Sequence, residues 1–186
     1  EVGLLALWLP ILVSTVFILI ASFLLHMVLP HHRTDFDRIE GEERFSAELQ
    51  SHDLTQGQYV FPYFGSPVDE KDPEFQKRVA QGPVGILLIG PNEPRLTPKQ
   101  LTTQFVYYFV LNTVVAYIAA QALPAGSDYL NVFQITGASS LIAYVGAHFS
   151  YPIWCHFRWR FAWKAAGDGL IKSLLTAGVF GWLWPM

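Results

Sequence analysis

The chain has 186 residues, of which 52% are hydrophobic and only 15% are charged, with a formal net charge of −3. A soluble domain carries about a quarter charged residues, so this composition indicates an integral membrane protein. The single cysteine, Cys155, excludes an internal disulfide and any cysteine-rich zinc or iron–sulfur site.

An uninterrupted apolar block at residues 4–29 is the first predicted element, and it contains no charged residue. A helix of about 20 residues crosses the roughly 30 Å hydrocarbon core of a bilayer, so the block is long enough to span it. Neither a basic n-region nor a small-residue cleavage site accompanies it, which argues against a removable signal peptide. The sequence therefore predicts a transmembrane helix within residues 1–30, with His26 close to its end.

Residues 31–101 are polar and hold twelve of the fifteen acidic residues. Two short runs bounded by Gly and Pro, at 56–65 and 82–91, are typical of strands. Between them a helix is predicted at 72–80, with Asp72 as its cap and Pro73 at its first position. The segment therefore predicts a small α+β juxtamembrane domain.

Apolar residues return at 105–123 and 132–149, which predicts the second and third transmembrane helices within residues 102–149. Polar side chains inside lipid usually face other helices, and here they recur every four residues. The polar rows are Gln104, Tyr108 and Asn112 in the second helix, and Thr136, Ser140, Tyr144 and His148 in the third. A neighbouring row of small residues, suited to close packing, is Ser139, Ala143 and Ala147.

The connection at 150–168 is rich in rings and cations. From Ile153 to Trp163 every second residue is apolar or aromatic, which is the period of a half-buried strand. This pattern favours a third strand, paired with the two predicted above, over an interfacial helix. The side chains predicted to anchor the two membrane faces are Trp8, Trp154, Arg158, Trp159, Arg160, Trp163, Lys164, Trp182 and Trp184.

The last apolar run, at 170–184, predicts a fourth transmembrane helix within residues 169–186. Asp168 and Lys172, at the start of this helix, are predicted to form an i, i+4 ion pair. Small residues recur at every fourth position, which allows a neighbouring helix to approach closely. They are Gly169, Ser173, Ala177 and Gly181.

Orientation follows from the short loops. The 150–168 connection carries three cations, whereas the opposite loop at 123–129 has no Lys or Arg. The positive-inside rule therefore places 31–101 and 150–168 in the cytoplasm and both termini in the periplasm. The prediction is a multi-pass protein of a bacterial inner membrane whose anchors contact phospholipids.

Two groups of side chains have metal-binding chemistry. His26 and His148 are predicted at the cytoplasmic ends of two spans, where they could ligate a haem iron or another metal. The second group, which offers imidazole and carboxylate ligands suited to zinc or iron, is His31, His32, Asp35 and Asp37. Because polar residues in the rows of the spans more often serve helix packing, packing remains the main prediction for those rows. For the HHR run at the exit of the first span, the main prediction is a solvated boundary.

The common signatures of nucleotide-binding, metalloprotease, hydrolase and thiol-redox enzymes are missing from the sequence. No broad basic surface is present, so nucleic acid is not a predicted partner. The motifs LPHHRTDF, QYVFPYF, DPEF with GPVGILLI, and DGLIKSLLTAGVFGWLWP resemble those of bacterial four-span inner-membrane proteins with no assigned activity. The resemblance covers nearly the whole chain and implies four spans, but it carries no catalytic residue.

The predicted fold class is therefore integral membrane and mainly α, with four transmembrane helices and a small α+β cytoplasmic domain. The predicted function is non-catalytic: an accessory or stabilising subunit of a larger bacterial membrane complex, of photosynthetic or respiratory type, whose partners are other integral membrane subunits. No cofactor is predicted, while a bound lipid or pigment is compatible with the sequence. The alternatives are a haem- or metal-binding membrane enzyme using His26 and His148, and a small-molecule or lipid transporter with a path past Gln104, Asn112 and Tyr144.

Overall fold

Helices make up most of the chain, which is described by a computed structural model over residues 2–94 and 96–186. The chain divides into two units. The first combines Glu1–Phe36 with Leu96–Met186, and the second is Asp37–Arg95. The segment predicted at 31–101 therefore contributes residues to both units, because its first six and its last six residues belong with the helices of the first unit.

Three helices of the first unit are long and apolar enough to cross a membrane. Leu4–Val28 contains a 3₁₀ turn, the helix α1 (Trp8–Phe23) and a π-helical turn at Leu24–Val28. The others are α4 (Pro98–Ala122) and Tyr129–Trp154, which comprises α5 (Tyr129–Val145), a 3₁₀ turn and the short α6 (Ser150–Trp154). α4 begins before its apolar run because Thr97 and Gln100 form a capping box.

The fourth predicted span corresponds to α7 (Trp159–Trp182), which begins eleven residues before the apolar run at 170–184. Its 24 residues extend over about 36 Å at 1.5 Å per residue. The first half of α7 carries Arg160, Lys164 and Asp168. Among the described residues α7 does not reach the hydropathy of the other three helices, so a fourth span is not confirmed.

The strand predicted between Ile153 and Trp163 is wrong. Residues 150–154 and Trp159–Trp182 are helical, with Arg158 in an extended conformation as the N-cap of α7. A strand needs a neighbour for its backbone hydrogen bonds. The two described strands pair only with each other and lie in the second unit, whereas a helix satisfies its own backbone.

The helices of the first unit form an antiparallel bundle in which α7 packs mainly against α5 and also against α1. The chain end meets the loop between α4 and α5, where Gly126 N donates to Pro185 O at 2.9 Å and Trp184 Nε1 donates to Pro124 O at 3.0 Å. An apolar core at this end includes Leu7, which therefore lies near the chain's last turn. Hence α7 runs the full length of the bundle.

A polar network crosses the middle of the bundle. Asn112 Nδ2 donates to Thr15 Oγ1 at 3.0 Å, and the Tyr144 hydroxyl donates to Asn112 Oδ1 at 2.9 Å. Towards the other end Tyr108 OH donates to Ser22 Oγ at 3.1 Å. All three helices of the network are thus joined by buried hydrogen bonds, which fixes their relative rotation.

The second unit contains α2 (Glu42–Ser51), β1 (Gly57–Phe61), α3 (Pro73–Gln81) and β2 (Gly85–Ile89). β1 and β2 pair antiparallel, with Gly57 opposite Ile89. Asp72 caps α3 by accepting a hydrogen bond from Glu74 N at 3.2 Å. The predicted strands at 56–65 and 82–91 and the predicted helix at 72–80 are therefore confirmed, and their sheet has two described strands instead of three.

Candidate metal centre

A cluster of histidines and carboxylates lies within the first unit, at the end of the bundle opposite the chain end. Its side chains come from three short stretches of chain: the π-helical turn that ends the first span, the 3₁₀ turn Pro30–Thr34 with the adjoining Asp35, and the first half of α7. Pro30 starts the second of these turns, which folds the polar HHRT segment back towards α7.

Three imidazole nitrogens converge on one carboxylate, that of Asp168. His32 Nε2 lies 2.6 Å from Asp168 Oδ2, and His26 Nε2 lies 3.7 Å from the same oxygen. His31 Nε2 lies 3.1 Å from the other oxygen, Oδ1. The Asp168 side chain is only 6% exposed, so this carboxylate is removed from solvent and depends on the imidazoles for hydrogen bonds.

The other ring nitrogens of His26 and His32 are also bound. His26 Nδ1 lies 3.0 Å from the carbonyl oxygen of Ser22, and His32 Nδ1 lies 2.5 Å from Asp35 Oδ2. Metal-ligating histidines almost always donate their second N–H to a carbonyl or carboxylate, which fixes the ring and directs its other nitrogen at the ion. Both rings therefore have the hydrogen-bonding pattern of metal ligands.

A second layer of contacts holds Asp35. Its side chain is 3% exposed, and Lys164 Nζ lies 2.7 Å from its Oδ1. The same ammonium group donates to Thr34 Oγ1 at 3.0 Å and to the carbonyl oxygen of His31, while Arg160 donates to the carbonyl oxygen of Thr34. Lys164 and Arg160 of α7 thus bind the turn through hydrogen bonds and an ion pair, whereas the sequence alone predicted that these cations contact phospholipids.

These contacts set the charge state of the turn. Partial burial by itself lowers the pKa of His32, but its hydrogen bonds with Asp35 and Asp168 outweigh burial and raise the pKa. Burial by itself raises the pKa of Asp35, but hydrogen bonds from Lys164 and His32 lower it. His32 is therefore favoured as an imidazolium between two carboxylates, with a proton where an ion could bind.

The ligand atoms of His26, His32 and Asp168 all lie within 4.8 Å of one another, which suits a shared ion. They border a cavity of about 200 Å³ whose wall also includes His148 and Lys172. Pockets for drug-sized ligands measure roughly 300–1,000 Å³, so this one suits an ion with water or a small anion and is too small for a porphyrin.

The structure thus brings together residues from both groups of predicted metal ligands. His26 joins His32 and not His148, which lies on the cavity wall without entering the converging set. His31 supports Asp168 from its second oxygen, and Asp37 is the first residue of the other unit.

The predicted ion pair of Asp168 with Lys172 is wrong. Asp168 binds histidines, and Lys172 Nζ lies over the ring of Tyr108, 5.5 Å from its centroid. An i, i+4 spacing permits such a pair, but the stronger partners of Asp168 come from another part of the chain.

The remaining predicted residues fall into two sets. Close packing of α5 on α7 involves Gly169, Ser173, Ala177 and Gly181, whereas Ser139 and Ala143 are half-buried and Ala147 is exposed. The exposed anchors are Trp8, Trp154, Arg158, Trp159, Trp163 and Trp182. Trp184 differs from them because it is buried in the core at the chain end.

No protein-family model, curated protein or solved structure matches this chain. Its function is therefore argued from the chemistry of its own residues.

Proposed function

We propose that this chain is an integral membrane protein that binds one divalent transition-metal ion through His26 Nε2, His32 Nε2 and Asp168 Oδ2. The proposal depends on one observation: the Nε2 atoms of His26 and His32 converge on the same buried oxygen of Asp168. The Nδ1 atom of each ring is held by another oxygen, which orients the ring. Ionisable groups at membrane depth are costly and usually functional, which favours a purpose for Asp168 beyond packing.

The ligand set suits Zn²⁺ or Fe²⁺. Two imidazoles and one carboxylate are found in catalytic zinc sites and in non-haem iron sites, where other positions stay open to water or substrate. A proton on His32 Nε2, which the contact with Asp168 favours, would compete with the ion, so binding would release a proton. The ion would join the end of the first span and the turn after it to α7.

Metal analysis of the purified protein tests the proposal. We expect about one Zn²⁺ or Fe²⁺ per chain, or one Co²⁺ after metal removal and reloading, because three protein ligands suffice for a stable site. Asp168→Asn and His32→Gln each remove one ligand and are expected to lower the bound metal to a small fraction of that value.

The matched control is His52→Gln, since His52 is an exposed histidine of α2's C-terminal cap whose neighbour is Glu48 at 3.8 Å. It should leave the metal content unchanged. Wild-type protein that takes up no Zn²⁺, Fe²⁺ or Co²⁺, or equal losses in the His52 and His32 variants, would contradict the proposal.

We propose further that α7 crosses the membrane as a fourth span, in a bacterial inner membrane, with both termini periplasmic and the metal centre near the cytoplasmic face. The support is that α7 lies alongside all of α5 and ends beside the α4–α5 loop. Arg160 and Lys164 have protein or interfacial partners near its start, so the apolar remainder can span the lipid.

A second candidate function is that of a non-catalytic accessory subunit of a larger membrane complex. The interior polar groups Thr15, Asn112 and Tyr144 bind one another instead of lining an open route, which disfavours a transporter. Large apolar side chains are exposed along the outside of the bundle, where lipid or a neighbouring subunit would cover them. Co-purification in several mild detergents tests this role, and a lone monomer in all of them would contradict it.

A further inference from the structure

We propose that the metal centre keeps an exchangeable coordination position, and that the cavity beside it takes an anionic oxygen ligand of the phosphate or carboxylate class, held by Lys172 and His148. This inference rests on the proposed metal site and names the ligand that completes it. Its starting point is the cavity of about 200 Å³, which is bordered by the metal ligands on one side and by Lys172 and His148 on another.

Lys172 is the first residue that favours an anion in the cavity. It lies near the middle of α7 and is half-buried, and its only described partner is the face of the Tyr108 ring, 5.5 Å from its ammonium nitrogen. The described carboxylates that line the cavity, Asp35 and Asp168, are paired with Lys164 and the histidines. An ammonium group at this depth without a carboxylate partner is expected to attract an anion.

His148 is the second observation, and it is independent of the first. Its Nδ1 is buried and faces the carbonyl oxygen of Tyr144, one turn earlier, but the geometry of that contact is too poor for a full hydrogen bond. Buried polar atoms are nearly always satisfied, and the His148 ring borders the cavity, so an acceptor in that cavity would complete the hydrogen bonding of the ring. An imidazole N–H can donate to an anionic oxygen, as a lysine ammonium does.

The charge of the loaded site points the same way. Lys164 and Lys172 offset the charges of Asp35 and Asp168, so a divalent ion bound by neutral histidines would leave two positive charges uncompensated. His31 occupies the second oxygen of Asp168, which leaves that carboxylate a single oxygen for the ion. Three protein ligands leave at least one position open on zinc or iron. An anionic oxygen there would bind the ion, Lys172 and His148 together.

Phosphate could arrive as a lipid headgroup or as a free ion, since both present the same oxygens. The experiment loads delipidated wild-type protein with Co²⁺, whose visible absorption reports its coordination, and adds inorganic phosphate or acetate. We expect a saturable spectral change with at least one of the two anions. Lys172→Gln should weaken the anion's binding by about tenfold or more while retaining Co²⁺, because a charge-assisted hydrogen bond is lost.

Lys99→Gln, at an exposed position in the first turn of α4, is the matched control and should bind the anion like wild type. Lys172→Arg keeps the charge and should keep the response, which guards against a folding defect in the glutamine variant. Phospholipid phosphorus that co-purifies with native wild-type protein, and is lost in Lys172→Gln, would identify a lipid headgroup as the source. A response to added phosphate without such lipid would identify the free ion.

The outcomes separate the two proposals. Stoichiometric Co²⁺ binding with no spectral response to either anion, or an equal response in Lys172→Gln, overturns the anion site and leaves the metal site standing. Failure of wild-type protein to bind Co²⁺ overturns both.

Discussion

At the scale of single residues, the environment of His32 decides the chemistry of the centre. Its ring lies between Asp35 and Asp168, with one nitrogen bound to each carboxylate. Each carboxylate favours a proton on the nitrogen that it contacts, so a metal ion at Nε2 would have to displace a proton there. In the proposed metal site Asp35 would act as a positioning residue, since it touches the ring of His32 at the nitrogen opposite the ion position.

This arrangement predicts the pH dependence of metal binding. Because the pKa of His32 is raised above 6.5, apparent Co²⁺ affinity should begin to fall at a pH above that value as the solution is acidified. Asp35→Asn removes one cause of the raised pKa, so the fall should move to lower pH. The same variant should lower affinity at pH 8 by about 10–100-fold, because an outer carboxylate that orients a ligand is lost.

Co²⁺ titrations followed by absorption between pH 6 and 8 measure both effects. His52→Gln is again the control, and its profile should match that of the wild type. A pH profile that is unchanged in Asp35→Asn would contradict the role assigned to Asp35.

At the scale of helices, the contact between α5 and α7 depends on glycine, which has no side chain to separate the two backbones. A Cβ at Gly169 would lie 2.6 Å from Val145 Cγ2 and 2.8 Å from the carbonyl oxygen of Tyr144, whereas a Cβ at Gly167 would meet nothing within 4 Å. The two glycines are in the same helix and differ only in the face they present. Gly169 follows Asp168 directly, so the close contact of the helices also fixes the position of Asp168 relative to α5.

Substitution of these glycines tests the contact. Gly169→Ala should destabilise the bundle by about 1–3 kcal/mol, because the backbone of α5 would have to move away. Gly167→Ala should leave stability unchanged or raise it by up to about 1 kcal/mol, since alanine is the better helix former. Unfolding in mixed detergent, followed by tryptophan fluorescence, compares them, and equal effects of the two changes would count against close packing at Gly169.

At the scale of the whole molecule, the number of spans decides the location of the chain end. Four spans put residue 186 on the same side as the α4–α5 loop, to which it is hydrogen-bonded through Pro185. Three spans would put it on the side of the segment that contains α2. The two topologies differ in whether α7, whose first half is charged, crosses the membrane.

Single cysteines in a Cys155→Ser background distinguish the two topologies. In bacterial spheroplasts a membrane-impermeant maleimide should label Ala125→Cys and Met186→Cys, both of which are exposed positions. Ser46→Cys in α2 should react only after permeabilisation. Reaction of Met186→Cys together with Ser46→Cys, and not with Ala125→Cys, would establish that α7 does not cross.

The sequence determined those features that depend on neighbours along the chain. The apolar blocks predicted four spans, and three of them are helices long and apolar enough to cross a membrane, because lipid requires long apolar helices. Gly and Pro punctuation predicted β1, β2 and α3, since turn and cap chemistry is local. The alternation of apolar residues at 153–163 led to the wrong prediction of a strand. Exposed aromatic side chains need not share one face, and a period of two cannot by itself supply a strand with a pairing partner.

Only the tertiary structure decided which side chains form the candidate metal centre. His26, His31, His32 and Asp35 are close in sequence and were recognised as ligand types, but Asp168 lies 136 residues beyond His32 and was paired by spacing with Lys172. Side-chain spacing along a helix identifies neighbours on that helix, whereas a buried carboxylate takes the strongest donors that packing brings to it. The close fit of α5 on α7 at Gly169 sets the position of Asp168, and the turn after the first span supplies the imidazoles.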